Sequence, residues 1–153
     1  MIEMKKIIYG FGFLATIILF TSFDYQKKKI NCSLTVEVSG LRNSKGVVQF
    51  ALYHTPDAFP DEDYKKYYLK LTDKIDDRFS TVTFENLPPG KYAINILHDE
   101  DENGKIKKGM VLPKEGIGFS NYESIGMFNK PKFSEAEIIL KSDTTIQVKI
   151  IYM

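Results

Sequence analysis

Apolar residues recur at every second position in five separate short runs, a period that fits a strand and not a helix. Leu34, Val36 and Val38 alternate with Thr35 and Glu37, and Val48, Phe50 and Leu52 with Gln49, Ala51 and Tyr53. Val82 and Phe84 alternate with Thr83 and Glu85, and Tyr92, Ile94 and Ile96 with Ala93, Asn95 and Leu97. The last run sets Ile146, Val148, Ile150 and Tyr152 against Gln147, Lys149 and Ile151. Each run stops at turn-forming residues: Gly40 to Gly46, Pro88-Pro89-Gly90, Asn103-Gly104 and Lys141 to Asp143. Short alternating strands separated by such turns predict an all-β, antiparallel β-sandwich of about seven strands. The 153 residues suffice for one domain with a real core, and the 9 Tyr and 11 Phe supply ring area to fill it.

Two stretches break the alternation. Between residues 55 and 75, Pro60 followed by Asp61-Glu62-Asp63 is suited to open a short helix, with Tyr64, Tyr67, Tyr68 and Leu71 on one face as packing onto the sandwich edge. Residues 109–133 form a Gly-rich excursion carrying Glu115, Ser120, Asn121 and the aromatics Phe119, Tyr122 and Phe128. Long excursions of this kind are commonly binding loops or loops that pack on themselves.

The N-terminus differs from the rest. Lys5 and Lys6 precede an uncharged, mostly apolar run from Ile7 to Phe20, the layout of an export signal. Such a run is ~21 Å of helix at ~1.5 Å per residue, short of a ~30 Å hydrocarbon core. Residues 1–23 are therefore read as a signal peptide or, uncleaved, an inner-membrane anchor; 24–31 as a linker; 32–153 as the domain. That places the chain outside the cytoplasm, periplasmic or extracellular, with membrane contact only through an uncleaved first segment. Cys32 is the single cysteine, so an internal disulfide is excluded. It lies well past the apolar run, behind charged residues, which argues against a lipid anchor; it is expected to be a small apolar residue opening a strand. Net charge is +1, so nothing in the charge balance suits a nucleic-acid partner.

Catalytic signatures are absent: there is no GxSxG, HExxH, CxxC or phosphate loop. The sharpest chemical feature is Asp99-Glu100-Asp101-Glu102-Asn103-Gly104-Lys105-Ile106, which matches the first eight positions of an EF-hand-type calcium loop. Side-chain oxygens of Asp99, Asp101 and Asn103 would converge on one Ca²⁺ while Gly104 makes the sharp turn and Lys105 offers its carbonyl. The second half of the pattern departs: Lys107 and Met110 stand where an EF-hand has its ninth ligand and its bidentate Glu. A distant carboxylate such as Glu115 could close the shell. The alternative is a polar turn whose Asn103-Gly104 satisfies the backbone.

The stretches FENLPPGKYAINILHDEDENGKI, LPKEGIGFSN, KPKFSEAEIIL and VKIIY resemble the uncharacterised bacterial family DUF2141 over about Leu34 to Tyr152. The matching positions are His98, Asp99, Asn103, Gly104, Glu115, Gly116, Gly118, Phe119, Ser120 and Asn121; Lys107 departs, standing where members tend to carry an acidic residue. The resemblance implies an exported, immunoglobulin-like or prealbumin-like sandwich and names no reaction. Clustering of the motif positions predicts that the 98–107 and 113–121 segments pack together, with Glu115 or Asn121 bonding to the first. Three function classes remain: a non-catalytic module binding a protein or glycan, favoured by exposed aromatics on the 117–128 loop; a small enzyme using His98 and a nearby carboxylate in a cleft; and a structural or assembly module without a ligand.

Overall fold

The computed structural model describes residues 31–106, 114–126 and 129–153. The proposed signal or anchor, nearly all of the linker, Lys107, Met110 and Phe128 lie outside the described residues. The described residues are nearly all β, with eight strands in two sheets. One sheet has the order β4-β1-β8: β1 (Cys32–Ser39) lies between β4 (Ser80–Leu87) and β8 (Thr144–Lys149). The other has the order β3-β2-β5-β6, formed by β3 (Leu69–Lys74), β2 (Val47–Tyr53), β5 (Gly90–Asp99) and β6 (Gly116–Phe119). A short β7 (Ile138–Leu140) pairs with Gly90 to Tyr92 of β5.

The alternating residues predicted to face inward do so. Leu34, Val36 and Val38 of β1 share one core cluster with Phe50 and Leu52 of β2, Ile94 and Ile96 of β5, and Val148 of β8. Each such side chain contributes roughly 1.5–3 kcal/mol on burial. This core draws on both sheets and joins strands far apart in sequence.

Three expectations are corrected. The architecture is not wholly antiparallel: β8 runs parallel to β1, from Leu34 opposite Thr144 to Ser39 opposite Lys149. Alternation reports which face of a strand is apolar but not its direction. The 55–75 stretch holds only a single 3₁₀ turn, Pro56–Ala58, followed by β3. Asp61 accepts the backbone N–H groups of Asp63, Lys65 and Lys66 at 3.2, 2.6 and 2.5 Å. Those donors are held by one carboxylate, and Tyr64 sits at φ 51°, outside the right-handed helical region. Leu69 and Leu71 then find strand partners in Leu52 and Phe50. Finally, the Gly-rich excursion contains β6 and ends where a one-turn helix, α1 (Phe133–Ala136), begins.

β2 and β5 are buried on both faces, which alternation alone does not announce. On the side away from the main core, Tyr53, Ala93 and Leu97 are covered by Phe59, Tyr64, Phe119, Tyr122 and Phe133. Phe59 makes edge contacts with Tyr53, Phe119 and Phe133 at ring-centroid distances of 5.5, 5.7 and 6.1 Å. The 55–64 segment, Tyr122 and α1 therefore fold back over the sheet and pack around Leu97, near the end of β5 where the candidate loop begins.

Candidate functional site

His98 and Asp99 close β5, and both are buried. His98 Nε2 lies 2.9 Å from the Lys45 carbonyl, and Nδ1 lies 2.6 Å from the Tyr152 hydroxyl. A carbonyl only accepts, so Nε2 carries a proton; in the neutral ring Nδ1 then accepts from Tyr152. The Tyr152 oxygen in turn accepts the Arg42 N–H at 3.0 Å. His98 is 0% exposed. Neither ring nitrogen bonds a carboxylate, so the His98–carboxylate pair in a cleft expected of an enzyme is not what these residues build. An open cleft does exist, lined by His54, Phe59, Pro131 and Phe133 among others, but His98 and Asp99 are not among its walls.

Asp99 organises the loop that follows it. Its Oδ2 accepts from Gln49 Nε2 at 2.6 Å and from Gly104 N–H at 2.8 Å, and its Oδ1 accepts from Asn103 N–H at 3.1 Å. Each carboxylate oxygen has two lone pairs, so Oδ2 is filled and, among the described residues, Oδ1 retains one acceptor position. Gly104 has φ 76°, a left-handed conformation that costs glycine no steric penalty. Asn103 Oδ1 accepts the Lys105 N–H at 2.8 Å, a local Asx turn. Glu115 is buried, and its Oε1 accepts the Glu100 N–H at 3.2 Å, so the 98–106 loop and the segment leading into β6 do pack together through Glu115. One ligand oxygen each from Asp99, Asp101 and Glu115 all lie within 4.8 Å of one another.

Asn121 does not take part. It sits at φ 63° and its Nδ2 donates to the carbonyls of Glu135 and Glu137 at 3.3 and 3.0 Å, capping the end of α1. Ser120 is equally structural: its hydroxyl donates to the Ala136 carbonyl at 2.6 Å and accepts the Ile94 N–H at 3.0 Å. Phe119 and Tyr122, whose exposure would have favoured a binding loop, are buried in the outer core. Their apolar surface was worth more packed against Phe59 and Phe133 than presented to solvent. Gly116 and Gly118 allow close approach of β6 to the C-terminal strand. A Cβ on Gly116 would fall against Ile150 and at 2.5 Å from Tyr152 Cε1, and one on Gly118 at 3.0 Å from the Lys149 carbonyl oxygen. Across that contact Ile117 and Ile151 exchange two backbone hydrogen bonds, of 3.0 and 2.8 Å, tying one sheet to the other.

These motif positions lie within a match, over residues 36–147, to the family described as an uncharacterized protein conserved in bacteria, DUF2141. The chain belongs to the DUF2141 family. No curated protein and no solved structure matches it. In this DUF2141 chain the motif residues divide by their contacts: Asp99, Gly104 and Glu115 build the loop, while His98, Gly116, Gly118, Ser120 and Asn121 lock strands and α1 in place.

Several residues around the site carry no motif. Arg42 forms a two-pronged ion pair with Glu100 and donates to the Lys114 carbonyl at 3.2 Å, and its guanidinium lies 4.7 Å over the Tyr152 ring. Asn43 Nδ2 reaches Glu100 at 2.6 Å. Hydrogen bonds from Arg42, reinforced by Asn43 and working against partial burial, pull the Glu100 carboxyl down to about 2. Arg42 and Gln49 are fifty or more residues from Glu100 and Asp99, and their own sequence neighbourhoods carry no signal that would find them.

Proposed function

We propose that this chain is an exported, non-catalytic module, an immunoglobulin-like or prealbumin-like β-sandwich whose 99–105 loop takes Ca²⁺ weakly, and which binds a protein or glycan partner. The observation that carries the calcium reading is the convergence of Asp99, Asp101 and Glu115 oxygens within 4.8 Å. Two oxygens bound to one Ca²⁺ at ~2.3–2.6 Å are at most about 5 Å apart, so this spacing suits a shared cation. Asp99 would contribute its remaining Oδ1 position, Glu115 the carboxylate the loop lacks at its far end, and the Asn103 side chain and Lys105 carbonyl are further oxygens on the same turn. The absent bidentate Glu and the nearby Lys107 favour the ~10⁻⁴ to 10⁻³ M affinity class of extracellular modules. Satisfaction of both His98 nitrogens by Tyr152 and Lys45 supports a non-catalytic role.

The test is a thermal melt of the protein in ~5 mM calcium against chelator. At ten times the dissociation constant, binding adds about 1.4 kcal/mol. For a domain of this size that is a rise of roughly 3–6 °C. Asp101→Ala is the diagnostic variant because Asp101 is exposed, whereas Asp99→Ala would also free the Asn103 and Gly104 N–H groups and Gln49. No rise in the wild type, or an equal rise in Asp101→Ala, would reduce the loop to a turn.

A further inference from the structure

We infer that the open edge of β3 is a docking edge for an extended segment of a partner protein in which acidic and apolar residues alternate. The inference rests on reading the chain as a partner-binding module and uses none of the proposed calcium ligands. Among the described residues, seven large apolar side chains are exposed, and five of them fall between residues 67 and 79: Tyr67, Tyr68, Leu69, Leu71 and Phe79. No residue from 65 to 79 is buried. β3 is the outermost strand of its sheet and, among the described residues, pairs only with β2. Its other edge presents backbone donors and acceptors, the template that an added strand uses.

The two faces of β3 specify the occupant. Leu69 and Leu71 stand opposite Leu52 and Phe50, so they continue the main core face to the rim, at 39% and 37% exposure. Lys70 and Lys74 are on the other face; Lys70 donates to Gln49 Oε1 at 3.3 Å and lies 5.5 Å from the Tyr67 ring centre. Residues 65–74 hold four lysines and one aspartate, a local net charge of +3 in a chain whose total is +1. Lys65 has a loose contact with Asp63 at 3.9 Å. An incoming strand with carboxylates on the lysine face and apolar side chains beside Leu69 and Leu71 matches both faces at once.

A second copy of β3 matches poorly. In a two-fold antiparallel pairing of identical edges the same alternate residues point outward on both strands, so each register is centred on a residue facing itself. Centred on Thr72, Lys70 stands directly opposite Lys74; centred on Leu71, it lies diagonal to Lys74. Like charges then share a face, which is unfavourable. The lysines guard the edge against self-association and leave it open to an acidic strand.

The test titrates the isotope-labelled full chain with a short peptide alternating Val and Glu, and with its counterpart alternating Val and Lys, reading backbone amide shifts and the oligomeric state. The expected result is saturable binding of the Val/Glu peptide alone, with shifts centred on residues 67–75 and the protein remaining monomeric. In Lys70→Glu/Lys74→Glu, one half-buried and one exposed change, the Val/Glu peptide should bind about tenfold more weakly and the Val/Lys peptide should gain. Binding of neither peptide, equal binding of both, shifts centred elsewhere, or dimerisation through β3 would overturn the proposal. A calcium-dependent melt without peptide binding would refute the docking edge alone, and binding without a calcium effect would leave the edge standing.

Discussion

Gly116→Ala is the substitution whose cost the structure defines most sharply. The added methyl would fall against Ile150 Cγ2 and within 2.5 and 2.7 Å of Tyr152 Cε1 and Cζ. Real Cβ contacts do not reach that range, so either the ring or β6 must move. If the ring moves, its hydroxyl leaves His98 Nδ1 and the Arg42 N–H, now at 2.6 and 3.0 Å. If β6 moves, the two Ile117–Ile151 backbone bonds that join the sheets are strained. Overpacking a filled site costs roughly 1–3 kcal/mol. An unsatisfied nitrogen on a fully buried histidine adds about 1–3 kcal/mol. The sum, roughly 2–6 kcal/mol, is a large part of the ~5–15 kcal/mol that holds a domain together. Gly118→Ala is the control: its closest approaches are 3.0 Å, to the Lys149 carbonyl oxygen and Val148 Cγ1, so a shift of a few tenths of an ångström relieves it and a loss of about 1–2 kcal/mol is expected. Urea denaturation followed by circular dichroism measures both. Gly116→Ala within ~0.5 kcal/mol of the wild type, or no worse than Gly118→Ala, would refute the close-approach reasoning.

Glu100 sets an acid limb of stability. Its carboxyl is held at about 2 by Arg42, below its unfolded value of ~4.3, so its contribution is complete above ~4.3 and lost as pH falls through 2. With Arg42 nearly half exposed, solvent screening reduces that contribution to about 1 kcal/mol; Glu100→Gln should remove it at neutral pH and flatten stability between pH ~4.3 and ~2, and an unchanged acid limb in the variant would count against the ion pair. Export is predicted from Lys5-Lys6 and the apolar run behind them; fractionation of the native host should recover the protein outside the cytoplasm, and full-length chain in the cytosol would defeat it.

Strands β1, β2, β4, β5 and β8 were legible in the sequence because alternation is a local property: a run with one apolar face has few other ways to bury it. The polar character of 99–106 was legible for a similar reason. Asp99 and Gly104 are close enough in the chain for one carboxylate to take the N–H groups of Asn103 and Gly104, and the turn follows from residue types alone. The Glu115 pairing was predicted from the clustering of the motif positions, with Asn121 as the other candidate; which of the two reaches the loop came from how β6 lies against β5.

What lay beyond the sequence depends on which surfaces meet. β3 read as a helix because Tyr64, Tyr67, Tyr68 and Leu71 share helical spacing; the free edge of β2 offered Leu69 and Leu71 partners that no local pattern reveals. Gly116 to Phe119 read as loop because glycine carries no periodic signal, yet those glycines are what let β6 lie against Ile150 and Tyr152. His98 is motif-like in sequence and a packed, doubly bonded core residue in the fold, since Lys45 and Tyr152 arrive from more than fifty residues away. The parallel course of β8 beside β1 has the same origin: a strand's alternation specifies its inward face, and only the route of the whole chain around the core specifies its direction and its neighbours.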